Sequence, residues 1–210
     1  MSSHSKLIDG GATLIETVTR PADGKATDTP LDQVTIHDGF YRIVQYDDDG
    51  NELEASFDPS NSDQGIFGYS MTMSPPQPTS QTWKFTRQWG FNNNFTIVPK
   101  DAPPAGDSDS DSKLGSAVDT PNEWDSMRVV RWSYYNIWPI RCDESRTYRL
   151  KDGSTKTVYY FRIFVADNHV KGWTWKTEQG KKGWKLGMDL PSWDPINDKE
   201  LYQLVPGDNA

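Results

Sequence analysis

Apolar residues in this chain recur at every second position in short runs, and no stretch keeps a helical period for long. The runs are "FYRIV", "IFGYSMTM", "TWKF", "FTIV", "MRVVRWSYYNIW", "TYRL", "VYYFRIFV", "GWTWK" and "LYQL". They are rich in β-branched and aromatic residues and are bordered by Gly, Pro, Asn, Asp and Ser, which predicts β-strands joined by turns.

Two signatures repeat among them. An opening pair, aromatic then aliphatic two positions on, occurs as Tyr41 and Ile43, Phe95 and Ile97, and Phe161 and Ile163. A closing pair occurs as Trp83 and Phe85, Tyr148 and Leu150, and Tyr202 and Leu204. Each opening pair precedes a closing pair, at separations of 42, 53 and 41 residues. The chain therefore divides into three related units, at about residues 37–86, 87–151 and 152–206. The middle unit is longer by roughly its acidic loop, residues 99–115, "PKDAPPAGDSDSDSKLG", an insertion that a surface connection tolerates cheaply. Period-two alternation sends the paired residues to one face, where three units pool them in a common core. Threefold repetition of an all-β unit of this length predicts a β-trefoil with pseudo-threefold symmetry and long surface loops: six strands closing a barrel and six capping it. Residues 1–36 lack sustained periodicity apart from "ATLIETV" and are expected to be an N-terminal extension, either an added edge strand or disordered.

Composition narrows the class. Nine Trp, nine Tyr and eight Phe in 210 residues supply enough apolar surface for one folded domain. The formal net charge of −8 repels phosphate, so no nucleic-acid partner is expected. The N-terminus lacks the apolar core of a secretion signal, and no later run approaches membrane-spanning length, which leads to the expectation of a cytoplasmic protein with no membrane partner. Cys142 is the only cysteine; it has no internal disulfide partner and cannot build a multi-thiolate metal site.

Candidate chemistry is sparse. His4, His37 and His169 form no ligand-spaced pair, and there is no phosphate-binding glycine loop or nucleophile elbow. "DDDGNE", residues 47–52, matches a calcium loop at Asp47, Asp49 and Gly50 but has Gln45 and Ser56 at the first and twelfth ligand positions, so it is expected to be a polar hairpin turn. Cys142 has no neighbouring His to activate it. The expectation is a non-enzyme with no metal and no cofactor.

"DGFYRIV", followed about forty residues later by "SPPQPTSQTWKFTR" and then "NNNFTIV", resembles the mycocypins, fungal β-trefoil inhibitors of cysteine proteases that include clitocypin and macrocypin. The resemblance covers residues 38–98 best, with "ELYQLVP" as a weaker echo; the N-terminal extension and the acidic loop depart from it. It implies an inhibitor in which two loops of the first unit enter the cleft of a papain-like cysteine protease; a separate reading is a fungal trefoil defence or interaction protein whose partner is neither a protease nor a glycan. The first loop would lie between Asp47 and about Phe67, with Gly65, Ile66 and Phe67 at its tip. The second would span Ser74 to Ser80, with Pro75, Pro76 and Gln77 stiffening its crest, since proline limits the conformations lost on docking. Some members also inhibit legumain or serine proteases through an Asn or a Lys on another loop; after "FTIV" this chain offers Lys100 and Lys113 but no Asn until Asn122.

The alternative partner is a glycan. Gln81-Thr82-Trp83 has the Gln-x-Trp pattern of ricin-type carbohydrate-binding lectins, and tryptophans of the third unit in "GWTWKTEQGKKGWKLGMDLPSW" could stack on a sugar. The corresponding triplets of the other units have lost both Gln and Trp.

Overall fold

The computed structural model describes residues 12–20, 30–62, 69–76, 82–88, 93–100, 113–116, 127–130, 137–166, 172–180, 183–193 and 195–207. Its strands are β1 (Thr13–Thr19), β2 (Gly39–Tyr46), β3 (Glu52–Ser62), β4 (Tyr69–Ser74), β5 (Trp83–Arg87), β6 (Asn94–Pro99), β7 (Lys113–Ser116), β8 (Met127–Val130), β9 (Trp138–Arg149), β10 (Thr155–Ile163), β11 (Thr174–Gly180), β12 (Gly183–Asp189) and β13 (Gln203–Pro206). Two short 3-10 turns, Pro30–Gln33 and Asp198–Glu200, complete the secondary structure of the described residues, which include no α-helix. No helix among them is long and apolar enough to cross a membrane.

Six strands close a ring by antiparallel pairing. β2 pairs β5, β5 pairs β6, β6 pairs β9, β9 pairs β10, and β13 pairs β2. The last gap is closed by Phe161 and Tyr202, which exchange backbone hydrogen bonds of 2.8 and 2.9 Å. Between the ring strands lie three hairpins, β3–β4, β7–β8 and β11–β12, and β4 pairs both β8 and β12. The pattern is all-β and antiparallel, with the sequence order ring–hairpin–ring occurring three times.

The ring encloses the main core. Trp83, Phe85, Phe95, Trp138, Ile163 and Tyr202 are all buried there, with Trp175 of β11 against Trp138 in an edge-to-face contact, ring centroids 5.3 Å apart. Alternation explains the inward set: β6 reads half-buried and buried in strict succession, so Phe95 and Ile97 face in while Asn94, Thr96 and Val98 face the other way. Tyr41 and Leu204 are partly buried and pack against the same cluster. Leu31 and Ile36 are buried in it too, so the packed domain begins ahead of the boundary expected at residue 37.

The closing pair of the middle unit differs from the expectation. Tyr41 stands across from Trp83 and Phe161 across from Tyr202, but the partner of Phe95 is Trp138, not Tyr148. Trp138 and Ile140 fill the places expected for Tyr148 and Leu150, and the three separations become 42, 43 and 41 residues. The middle unit is thus no longer than the others by this measure; residues 101–112 of its acidic segment lie outside the described residues, and Lys113–Gly115, expected at the end of that loop, belong to β7.

Tyr148 belongs to a second, smaller cluster with Val158, Tyr160 and Leu201. β9 and β10 continue past the ring, and β1 adds to the outer edge of β9, making a three-stranded arm. Within the segment expected as an extension, Thr13–Thr19 is therefore an added edge strand. The transition from ring to arm is a bulge: Phe161 pairs Cys142 and Tyr160 pairs Glu144, leaving Asp143 unmatched. One extra residue inverts the facing of everything beyond it. Cys142 and Phe161 therefore face the ring core, whereas Tyr148 and Tyr160 face the second cluster.

Asp143 is fully buried and is the hub of an ionic network. It accepts from Arg162 and from Arg141 at 2.5 and 3.1 Å, and it forms an ion pair with Arg20, whose Nε lies 3.1 Å away and donates to the Cys142 carbonyl. Arg162, itself fully buried, also donates to the carbonyl of Ser192 at 2.6 Å and lies 4.2 Å from the centroid of the Trp193 ring. Arg20, at the end of β1, ties the arm back to the ring through this carboxylate.

Candidate functional site

The connections of the first unit are the place where the sequence predicts a binding surface. The expected first loop contains a strand: β3 occupies Glu52–Ser62, and the actual link between β2 and β3 is a tight turn at residues 47–51. Asp47 organises that turn. Its carboxylate accepts from the backbone N–H of Asp49 at 3.0 Å, the backbone N–H of Asn51 at 2.8 Å and the side-chain amide of Asn51 at 2.9 Å. Gly50 adopts φ 83°, a left-handed conformation that side-chain-bearing residues avoid. Partial burial pushes the Asp47 carboxyl up, but the donors from Asn51, Asp49 and Gly50 outweigh it and hold the group below its ordinary value. These donors satisfy the carboxylate without a cation.

Gly65, Ile66, Phe67 and Gln77 lie outside the described residues, whereas Pro75 and Pro76 are described and exposed. The two segments expected to form one surface leave opposite ends of the β3–β4 hairpin. Ser74 pairs Glu54 at one end and Tyr69 pairs Ser62 at the other; from Ser74 to Tyr69 is five residues, about 17 Å of strand. The turn at residues 47–51 is what lies at the Ser74 end, because Glu54 and Glu52 pair Val44 and Tyr46. The structure thus brings the Asp47 turn and Pro75–Pro76 to the same end of the sheet. The paired geometry of β2, β3 and β4 carries this information; a sequence scan for proline and glycine tips does not.

Behind the same turn is a cleft that no motif of the chain announces. Its walls are Gln45 and Tyr46 from the end of β2, Arg146 and Tyr160 from the arm, and Asp198 and Lys199 from the second 3-10 turn. Gln45 lies two residues beyond Ile43, near the end of β2, and its buried amide donates to the carbonyls of Asp198 at 2.9 Å and Leu201 at 3.1 Å. Arg146 donates to Glu144 and, at 2.8 Å, to Asp198; Lys199 donates to Asp48 at 2.8 Å and sits 4.3 Å from the Trp184 ring centroid. Burial, followed by the charge of Glu52, pushes the Tyr46 phenol up to about 12, and burial raises Tyr160 further. Both phenols are neutral at physiological pH and keep their O–H.

The third-unit tryptophans are not free stacking platforms. Trp175 is fully buried, Trp173 and Trp184 pack against the main core, and Trp193 lies over Arg162. Gln81 lies outside the described residues, and the Trp83 indole donates 3.0 Å to the Ala55 carbonyl inside the core.

No family model, curated protein or solved structure matches the chain. Its chemistry is therefore read from the residues themselves. Among the described residues no three His, Cys, Asp or Glu side chains are grouped to hold a metal. Cys142 is buried, with its Sγ 3.6 Å from the Glu144 carbonyl; burial, reinforced by Asp143, pushes the thiol up to about 12. The thiolate is the reactive form, so Cys142 is expected to resist aromatic disulfide reagents at pH 8 in the native protein. One thiol per chain should react once denaturant is added; rapid native labelling would contradict the burial.

Proposed function

We propose that the chain is a β-trefoil that inhibits papain-like cysteine proteases by steric occlusion, through two connections of its first unit. The six-strand ring, the three hairpins and the near-equal separations of Tyr41–Trp83, Phe95–Trp138 and Phe161–Tyr202 support the trefoil assignment. The observation that carries the inhibitor reading is the convergence of the Asp47 turn with Pro75–Pro76 at one end of the β2–β3–β4 sheet. That placement gives a two-part edge borne on paired strands, and it lies within the segment that resembles the mycocypins. An edge held by an internally bonded carboxylate and by proline loses little conformational freedom on docking.

In this reading the wedge is the turn at residues 47–51 with the connection that starts at Pro75; Gly65, Ile66 and Phe67, expected at the tip of the first loop, lie outside the described residues. Occlusion needs no cofactor and no catalytic residue, and a buried thiol suits a cytoplasmic protein of a fungal defence repertoire.

Titration of papain against the purified chain tests it. Inhibition in the submicromolar range is expected. Replacing residues 75–80 by a Gly-Ser linker of equal length should weaken it about 100-fold, and Asp47→Ala about tenfold, or ~2.7 and ~1.4 kcal/mol. No inhibition of any papain-like protease at about 10 µM, roughly −7 kcal/mol of binding, removes the proposal.

A further inference from the structure

The Asp47 turn is bonded within itself, and those bonds fix its shape rather than its direction. The Asp47 carboxylate accepts from Asp49 and Asn51, and the backbone closes from Asp47 to Asn51 and from Gly50 to Asp47 at 3.0 Å each. All of these bonds lie inside five residues. The β2–β3 ladder beneath ends at Tyr46 and Glu52, so the direction in which the crest points depends on what it leans against.

A contact from outside the turn reaches that crest. The Lys199 ammonium donates to the Asp48 carboxylate at 2.8 Å, across 151 residues of chain. Ion pairs between two exposed side chains usually contribute little, because both must be ordered to make them. Here the exposure is one-sided. The Asp48 side chain is 79% exposed, whereas that of Lys199 is 22% exposed and its Nζ lies 4.3 Å from the Trp184 ring centroid. A cation is attracted to an indole face, so the lysine is held in place before the aspartate meets it.

The 3-10 turn that bears Lys199 is itself pinned from several sides. The Asn197 side chain accepts from the Lys199 N–H at 3.0 Å, and the Tyr202 hydroxyl donates to the Lys199 carbonyl at 3.2 Å. The neighbouring Glu200 is buried, accepts from the Ser192 N–H at 3.0 Å and pairs with Arg162 at 3.4 Å. Through one lysine, the crest of a first-unit turn is therefore tied to a base in the third unit that reaches the buried arginine network.

We propose that Lys199 is a positioning residue for the wedge: acting through Asp48, it holds the crest of the Asp47 turn in the direction that lets the turn dock together with Pro75–Pro76. The inference rests on the occlusion reading.

The test compares the full chain with Lys199→Met, Asp48→Asn, the double variant and Lys199→Arg, by 15N relaxation of the free protein, urea denaturation and papain titration. Lys199→Met keeps the aliphatic stem over Trp184 and removes the charge. It and Asp48→Asn should each lower the order parameters of the Asp49, Gly50 and Asn51 amides from about 0.85 towards about 0.6. Each should weaken inhibition about three- to fivefold, the scale of one well-placed ion pair, and the double variant should lose no more than either single one. Lys199→Arg, which keeps a cation over the indole, should stay within about twofold of wild type, and the urea midpoint should not move in any variant. Should Lys199→Met fail to fold, Asp48→Asn, on an exposed side chain, provides the same test. A turn as ordered in both single variants as in wild type overturns the proposal. So does a double variant that loses the product of the two single effects, or a fall in urea midpoint that parallels the loss of inhibition, which would make Lys199 a general structural contact. A turn that loosens in both variants while wild type fails to inhibit removes the occlusion reading and leaves the brace.

Discussion

Trp138→Ala is expected to lower the free energy of unfolding by about 3–5 kcal/mol, the range for removing a large aromatic from a closed core, and to do so for the whole ring. Trp138 is fully buried, stands opposite Phe95 and touches Trp175 edge to face. Tyr148→Ala provides the contrast. Tyr148 is equally buried but packs with Val158, Tyr160 and Leu201 in the arm. Its truncation should loosen β1 and the outer parts of β9 and β10 while the ring strands keep their protection. Native-state hydrogen exchange on both variants separates the cases. Equal loss of protection across the whole molecule in both would show a single core, and would falsify the division into ring and arm.

Asp143→Ala should cost a comparable amount, about 3–5 kcal/mol, for a different reason. Removing one member of a buried ionic network leaves the buried charges that remain short of a counter-charge, although Arg20 keeps Asp32 and Arg162 keeps Glu200 at 3.4 Å. Arg162 is fully buried and Arg20 nearly so, and both would lose their shared carboxylate. Salt should not rescue the loss, because ions screen exposed charges and reach buried ones poorly. Urea denaturation at low and high ionic strength measures it. A cost below about 1 kcal/mol, the size of a surface pair, would mean that the network does not hold the arm to the ring.

The strands were legible because alternation is a local property. "NFTIV" places Phe95 and Ile97 on one face whatever else the chain does, and β6 follows that pattern residue by residue. What alternation cannot see is a bulge. Trp138 and Tyr148 are ten residues apart and so share a parity, and parity alone made Tyr148 an acceptable closing residue. The unmatched Asp143 between them reverses the facing. A signal was present: "WPI" repeats the aromatic–x–aliphatic signature, and it restores even spacing.

The candidate site was less legible, since it is made of pairings between distant segments. Gln45 lies more than 150 residues from the carbonyls it holds, and in sequence it is only a polar residue at the end of an apolar run. The wedge was half legible. Pro75–Pro76 is visible as a stiff crest, but its neighbour is decided by which end of β3 it leaves beside, and that depends on sheet register.

The continuity of β9 and β10 from ring to arm has a practical consequence. The outermost point of the arm, residues 151–154, is exposed throughout, and Gly153 with φ 83° together with Asp152 closes it as a self-contained turn. An epitope or fluorophore grafted there would ride on a stiff three-stranded stem, reporting on the molecule's tumbling and docking.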